Sequence, residues 1–328
     1  MSTHNSTGIA ALLTALAMTG ATAFGITIDT VTVGYAGNAA DTASGTYANG
    51  RGAVSYEYQI GTYEVTNAQY AAFLNAVDST GANTYSLYNS NMSSSTYGGI
   101  TWNSTSSKYE VKAGFDLKPV NYVSFYDAAR FVNWLTNGQG SGGTESGLYV
   151  FKEGKLVSTP DHATSTGWVI PNENEWYKAA YYNPTLNEGA GGYTNYPWAG
   201  GASPSHTQDA VNGATYSGGP GNVTDVGSYI NASSYFGTYD QAGNLWEWTD
   251  TISSGNNRVL RGGAVYSNVN DLSAASGRGG SGPTDEGYYY GFRVASLTAV
   301  PEPSVWASAM GLTMFVFGVW VRRGRRTL

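Results

Sequence analysis

The chain has 328 residues; 12% are charged, 14% are aromatic (26 Tyr) and 44 are Gly. That mix predicts an irregular, loop-rich α+β unit with aromatic side chains under turn-rich backbone, and excludes a helical bundle. A net charge of −7 with no basic stripe excludes a nucleic-acid partner, and the lack of cysteine excludes disulfides, thiolate metal sites and Cys nucleophiles. His4, His162 and His206 show no metal-ligand spacing, so a zinc or iron centre is not expected.

Residues 8–18 form a short apolar run, followed by Ala21, Thr22 and Ala23 in the A-x-A pattern. The spacing predicts a signal peptide over 1–23 and hence export. Residues 24–53 are rich in Gly, Ala and Thr and read as a lead-in with a strand within 26–33. The main domain is expected over 54–297. Its first strand is VSYEYQI at 54–60, which alternates and stops at Gly61.

Three helices announce themselves by capping boxes. Thr66 with Gln69 starts one, and Tyr70, Phe73, Leu74 and Val77 then recur at helical spacing. Ser124 with Asp127 starts the second, with Ala128, Phe131, Val132 and Leu135 on its apolar face. Asn172 with Glu175 starts the third, turning Trp176, Ala179 and Ala180 inward. Glu64, just before the first helix, reads as a buried acid paired with an arginine. Residues 78–116, dominated by Ser, Asn, Thr, Gly and Tyr, read as a long surface excursion with a hairpin within 99–111.

The stretch GTYDQAGNLWEWTD at 237–250 places two carboxylates around a Gly-Asn turn. Asp240 and Glu247, with backbone carbonyls at Gly243 and Leu245 between them, are candidate hard oxygen ligands for Ca2+. The alternative is that the carboxylates meet arginines while Trp246 and Trp248 fill the core. Arg261, in RVLRGG at 258–263, and Arg293, in GFRVA at 291–295, are the candidate structural arginines, able to hold carboxylates in bidentate pairs. Between them lie Tyr266, Ser267, Arg278 and Tyr288, with Tyr289, Tyr290 and Asp285 nearby; aromatic faces with polar neighbours suit sugar rings, although each tyrosine could equally be packing. GRGGSG at 277–282 lacks the strand–helix setting of a nucleotide loop. His206 reads as ordinary polar surface.

At the other end, Pro301, Glu302 and Pro303 precede an apolar stretch at 305–321 and then Arg322, Arg323, Arg325 and Arg326. This predicts a membrane segment with its arginines on the cytoplasmic side. Residues 300–328 resemble the PEP-CTERM sorting signal of Gram-negative bacteria that make extracellular polysaccharide. The resemblance implies an exosortase-type protease as processing partner, transient anchoring by the C-terminus and a cell-surface or extracellular destination.

The body of the chain resembles the formylglycine-generating enzyme (sulfatase-modifying factor) family. The motifs that carry this are YEVTN at 63–67, PVNYVSF at 119–125, WVIPNENEW at 168–176, YPWAG at 196–200, the 237–250 stretch, RVLRGG and GFR. It implies a single sulfatase-modifying-factor fold related to C-type lectins, and oxidation of a substrate cysteine by O2 at Cu(I) held on two cysteines. Those two positions are Ser267 and Leu272 here, and neither side chain can hold Cu(I). No copper and no family oxidation are therefore expected, and Val169 stands where the family carries an arginine. The favoured reading is an exported, non-catalytic binding scaffold for polysaccharide or an exported protein. An enzyme modifying exported protein and a structural surface protein are the alternatives.

Overall fold

A computed structural model describes residues 25–198 and 200–297. The expected signal peptide at 1–23 and the sorting signal at 300–328 lie outside them. Among the described residues no helix is long and apolar enough to cross a membrane.

The chain opens with an antiparallel pair, β1 (Thr30–Val33) and β2 (Tyr58–Gly61), in register from Thr30 opposite Gly61 to Val33 opposite Tyr58. The strand expected over 54–60 is therefore shorter and later, because its partner offers only these four positions. Helix α1 (Asn67–Val77) follows behind the Thr66–Gln69 box, burying Tyr70, Phe73 and Leu74. Next come α2 (Asn91–Ser94) and the expected hairpin, β3 (Ile100–Asn103) with β4 (Lys108–Val111). This excursion does not stay on the surface: Met92 and Ile100 are 0% exposed and Tyr109 is 3% exposed, all in the main core.

Helix α3 (Phe125–Thr136) carries both halves of its capping box and buries Phe125, Phe131, Val132 and Leu135. The hairpin β5 (Val150–Lys152) with β6 (Lys155–Ser158) and the short β7 (Trp168–Val169) lead to α4 (Glu173–Tyr181), capped by Asn172. The pair β8 (Tyr182–Asn183) and β9 (Gly192–Tyr193) comes next. A long irregular stretch then reaches β10 (Trp246–Ser254), β11 (Asn257–Arg261) and β12 (Arg278–Ser281), and the described chain closes with β13 (Tyr290–Gly291) and β14 (Ala295–Ser296).

Two four-stranded sheets result, ordered β1-β2-β14-β7 and β12-β11-β10-β13. The segment 290–296 serves both: β13 lies parallel to β10, with Gly291 beside Glu247, and β14 pairs with β2 and β7. Phe292 and Arg293, in between, sit at the junction, both 0% exposed. α1 and α3 pack there through aromatic edges, Phe73 and Phe292 each about 5.4 Å from Phe131 between ring centres. The long irregular segments thus hang from a core that is rigid beneath them.

Candidate functional site

The 237–250 stretch is built around one tight turn. Gly243 takes φ 91° with Thr215 O so close that a Cβ would come to 2.1 Å from it, so only glycine fits. The turn lets Asn244 donate Nδ2 to Glu64, which also accepts from Leu245 N. Glu64 is thus buried as expected, but its direct partners are an amide and a backbone N–H in place of an arginine. Burial, reinforced by the nearby Glu247 and Asp240, pushes its carboxyl well above the usual range. Burial likewise pushes Asp240 up to about 6, and its Oδ2 accepts from Gly227 N at 2.6 Å.

Glu247 is the partner of Arg293. Arg293 donates Nε to Oε2 (2.6 Å) and Nη2 to Oε1 (2.7 Å), and Trp176 Nε1 adds a third bond to Oε2 at 2.8 Å. Both oxygens accept N–H donors, the arginine pairing that the sequence left as the alternative to a Ca2+ ligand. Among the described residues no group of three or more His, Asp or Glu side chains could hold a metal ion. Trp248 is fully buried, its indole N–H on Val123 O, whereas Trp246 is only partly buried against the same core.

Arg261 meets a carboxylate the sequence did not single out. Glu173 accepts from Arg261 Nε (2.9 Å) and Nη2 (2.5 Å), and from Arg278 Nε (2.7 Å). These cations, with Arg51, outweigh burial and hold the Glu173 carboxyl below its ordinary value. Arg278 is therefore an ion-pair partner of Glu173. A second buried network also escaped the sequence reading. His162 lies between Glu175 (2.9 Å) and Asp250 (3.3 Å), with Tyr56 on Glu175 and Arg258 on Asp250. Burial lowers the imidazole pKa, but the two carboxylates overcome it and push it up to about 10.

At the family's cysteine positions, Ser267 Oγ accepts from Ala264 N (3.0 Å) while Ser267 N donates to Ala264 O (2.8 Å), closing a turn on itself. Leu272 is 0% exposed in a separate small core with Tyr196, Trp198 and Tyr229. Leu272 offers no polar group, and Ser267 Oγ braces its own turn. Just before Ser267, Tyr266 stands out, 43% exposed. Its ring meets Tyr97 edge-on at 5.8 Å and Tyr288 at 5.5 Å, and Tyr97 stacks on Tyr288 at 5.2 Å. Tyr266 Oη donates to Gly221 O (2.9 Å) and shares a hydrogen bond with Tyr97 Oη (2.6 Å). Asn121 fixes the other two rings by donating Nδ2 to both Tyr97 O and Tyr288 O, each at 3.0 Å. Tyr289 and Tyr290 extend the row at 4.7 and 4.4 Å. Asp285 is occupied by Ser281 Oγ and Gly282 N.

The structure thus joins Tyr266 and Tyr288 as expected and adds Tyr97, hidden in a low-complexity stretch. Gly218, Gly219 and Pro220, next to the Gly221 whose carbonyl Tyr266 bonds, line a polar cleft of about 540 Å3 with Lys118, His206 and Asp225 among others. Ser217 N donates to Ser267 O, tying the 216–222 loop to the Tyr266 turn. His206 is more than bland surface: it stacks on Tyr216 with ring centres 4.0 Å apart.

Buried arginine–carboxylate pairs under irregular loops, with an aromatic face on the surface, define a scaffold of mixed sheet and helix. The chain belongs to the family of the sulfatase-modifying factor enzyme 1-like domain, whose model matches residues 28–297. It is 25% identical over 170 residues to hercynine oxygenase of Mycolicibacterium smegmatis, a match covering 45% of this chain and 30% of that protein; the chain accordingly spans under a third of that curated relative. Its fold is similar to Treponema denticola variable protein 1 (TM-score 0.53, 18% identity, covering 82% of this chain and 95% of that one). It is also similar to the crystal structure of CarF (TM-score 0.51, 22% identity, 82% and 98%).

Proposed function

We propose that this chain is a non-catalytic binding member of its family, exported and displayed at the cell surface, which takes a hydroxyl-rich glycan of an extracellular polysaccharide across the Tyr97–Tyr266–Tyr288 face. The observation that carries the reading is the contrast at 266–267. The family's first cysteine position is a serine whose Oγ closes its own turn, while the residue before it is an exposed, hydrogen-bonded aromatic braced by two more rings. Such rings present an apolar surface with a polar edge, as a sugar requires, and the cleft beside them falls within the 300–1,000 Å3 usual for ligand sites. Kinship of the scaffold to C-type lectins, processing by an exosortase and release from the membrane belong to the same proposal.

The full chain on an array of bacterial glycans, beside Tyr266→Ala, tests it. Binding is expected for the parent chain and a drop of about tenfold or more for the variant, whose ring is largely solvent-facing. An array without signal, or equal signal from both proteins, overturns the reading and moves attention to exported protein partners.

A further inference from the structure

A second cleft, of about 200 Å3, opens where the end of α4 and β8 meet segments 194–198 and 231–235. Its aromatic wall is made by Tyr182, Trp198 and Tyr235. Tyr235 is 45% exposed and braced edge-on by Phe236 at 5.3 Å and by Tyr35 at 6.4 Å. Tyr35 is itself 55% exposed, and Val211, on the lining, 61%. Two exposed large side chains, Val211 and Tyr235, thus stand on the lining, with exposed Tyr35 against Tyr235, which marks a contact surface.

The polar part of the lining carries no charge. No Asp, Glu, Lys, Arg or His contributes to it; amides and hydroxyls such as Asn183, Asn231 and Ser233 do. Asn183 spends Oδ1 on Thr185 N (2.9 Å) and Thr185 Oγ1 (2.7 Å), and its Nδ2 has no protein partner among the described residues. Asn231 spends Nδ2 on Asp209 O at 2.9 Å, which leaves its Oδ1 as an acceptor. One unspent donor and one unspent acceptor thus stand beside an exposed ring.

We infer that this cleft is a binding site for a single neutral sugar ring, separate from the Tyr266 face. A purely apolar guest would leave the two amides unpaired, and an anionic guest would find no countercharge; a neutral ring with hydroxyls on its rim and C–H bonds on its face satisfies both. The cleft is smaller than the 300–1,000 Å3 of drug-sized ligand sites, so it holds one ring of a chain or a terminal residue.

Saturation-transfer NMR and titration of the full chain with methyl glycosides of glucose, galactose and mannose, and with glucuronic acid as the charged control, test the inference. At least one neutral glycoside is expected to bind in the millimolar range, and glucuronic acid about tenfold more weakly. Tyr235→Ala and, as a second variant, Asn183→Ala should each weaken the neutral glycoside about tenfold while the thermal midpoint stays near the parent's. No saturation with any neutral glycoside overturns the site, as does binding that survives both cleft substitutions. Binding lost in Tyr266→Ala but kept in Tyr235→Ala also overturns it, while upholding the tyrosine face. Failure of the glycan array with retained glycoside binding here would do the reverse.

Discussion

At the scale of single residues, buried charge decides most of what these side chains can do. Arg293 and Glu247 are both 0% exposed, and three N–H bonds meet that carboxylate. Removing the cation strands Glu247, with Glu64 close behind it, in low dielectric. Arg293→Met is therefore expected to cost about 3–5 kcal/mol, read from the urea midpoint, whereas a loss under 1 kcal/mol would show the pair to be incidental. His162 makes a pH-dependent contribution of definite sign. Its folded pKa, about 10, lies above the unfolded value near 6.5, so the folded state holds the extra proton. That stability is fully present below about pH 6.5 and is lost as pH rises towards 10. His162→Gln should then melt lower than the parent at pH 6 and close to it above pH 10, and a gap that does not narrow would refute the ion-pair account.

At the scale of elements, what was legible in the sequence was local. Each of the three longer helices begins with a cap and a residue three positions on, and both halves of all three boxes form. The hairpin at 100–111 follows the same logic, its strands close in sequence. What stayed hidden depends on partners far apart. Glu173 meets Arg261 across 88 residues, and Glu175 meets His162 only because the 159–167 segment folds back onto α4. Spacing carries no trace of either pair. Glu247 shows the other limit: an acid beside a Gly-Asn turn suits a cation or an arginine equally, and the arginine becomes visible only with the β10–β13 register, which brings Arg293 alongside. The box on α4 is worth a separate measurement. Asn172 Oδ1 accepts from Asn174 N and Glu175 N, both at 3.0 Å, so Asn172→Ala should cost about 1 kcal/mol in denaturant unfolding. A shift several times larger would mean that the cap also positions Glu175 for His162.

At the scale of the whole molecule, the tyrosine face is an assembly of distant segments held by the shared core. Tyr97 comes from the 78–116 excursion, Tyr266 from the turn after β11 and Tyr288 from the approach to β13, and Asn121 ties the first and last together. No one segment can present the three rings alone, so a ligand on this face binds the folded state and not the unfolded chain. Linkage then requires that binding stabilise the entire domain: a ligand at about 100 times its Kd adds roughly 2.7 kcal/mol. For a domain of this size that corresponds to a rise in Tm of about 5–10 °C. The glycan selected by the array should raise the melting temperature of the parent chain by that amount, and that of Tyr266→Ala hardly at all at the same concentration. A glycan that binds the array yet leaves the parent's Tm unmoved would be held by a locally ordered loop, and the shared-core presentation of the three rings would be wrong.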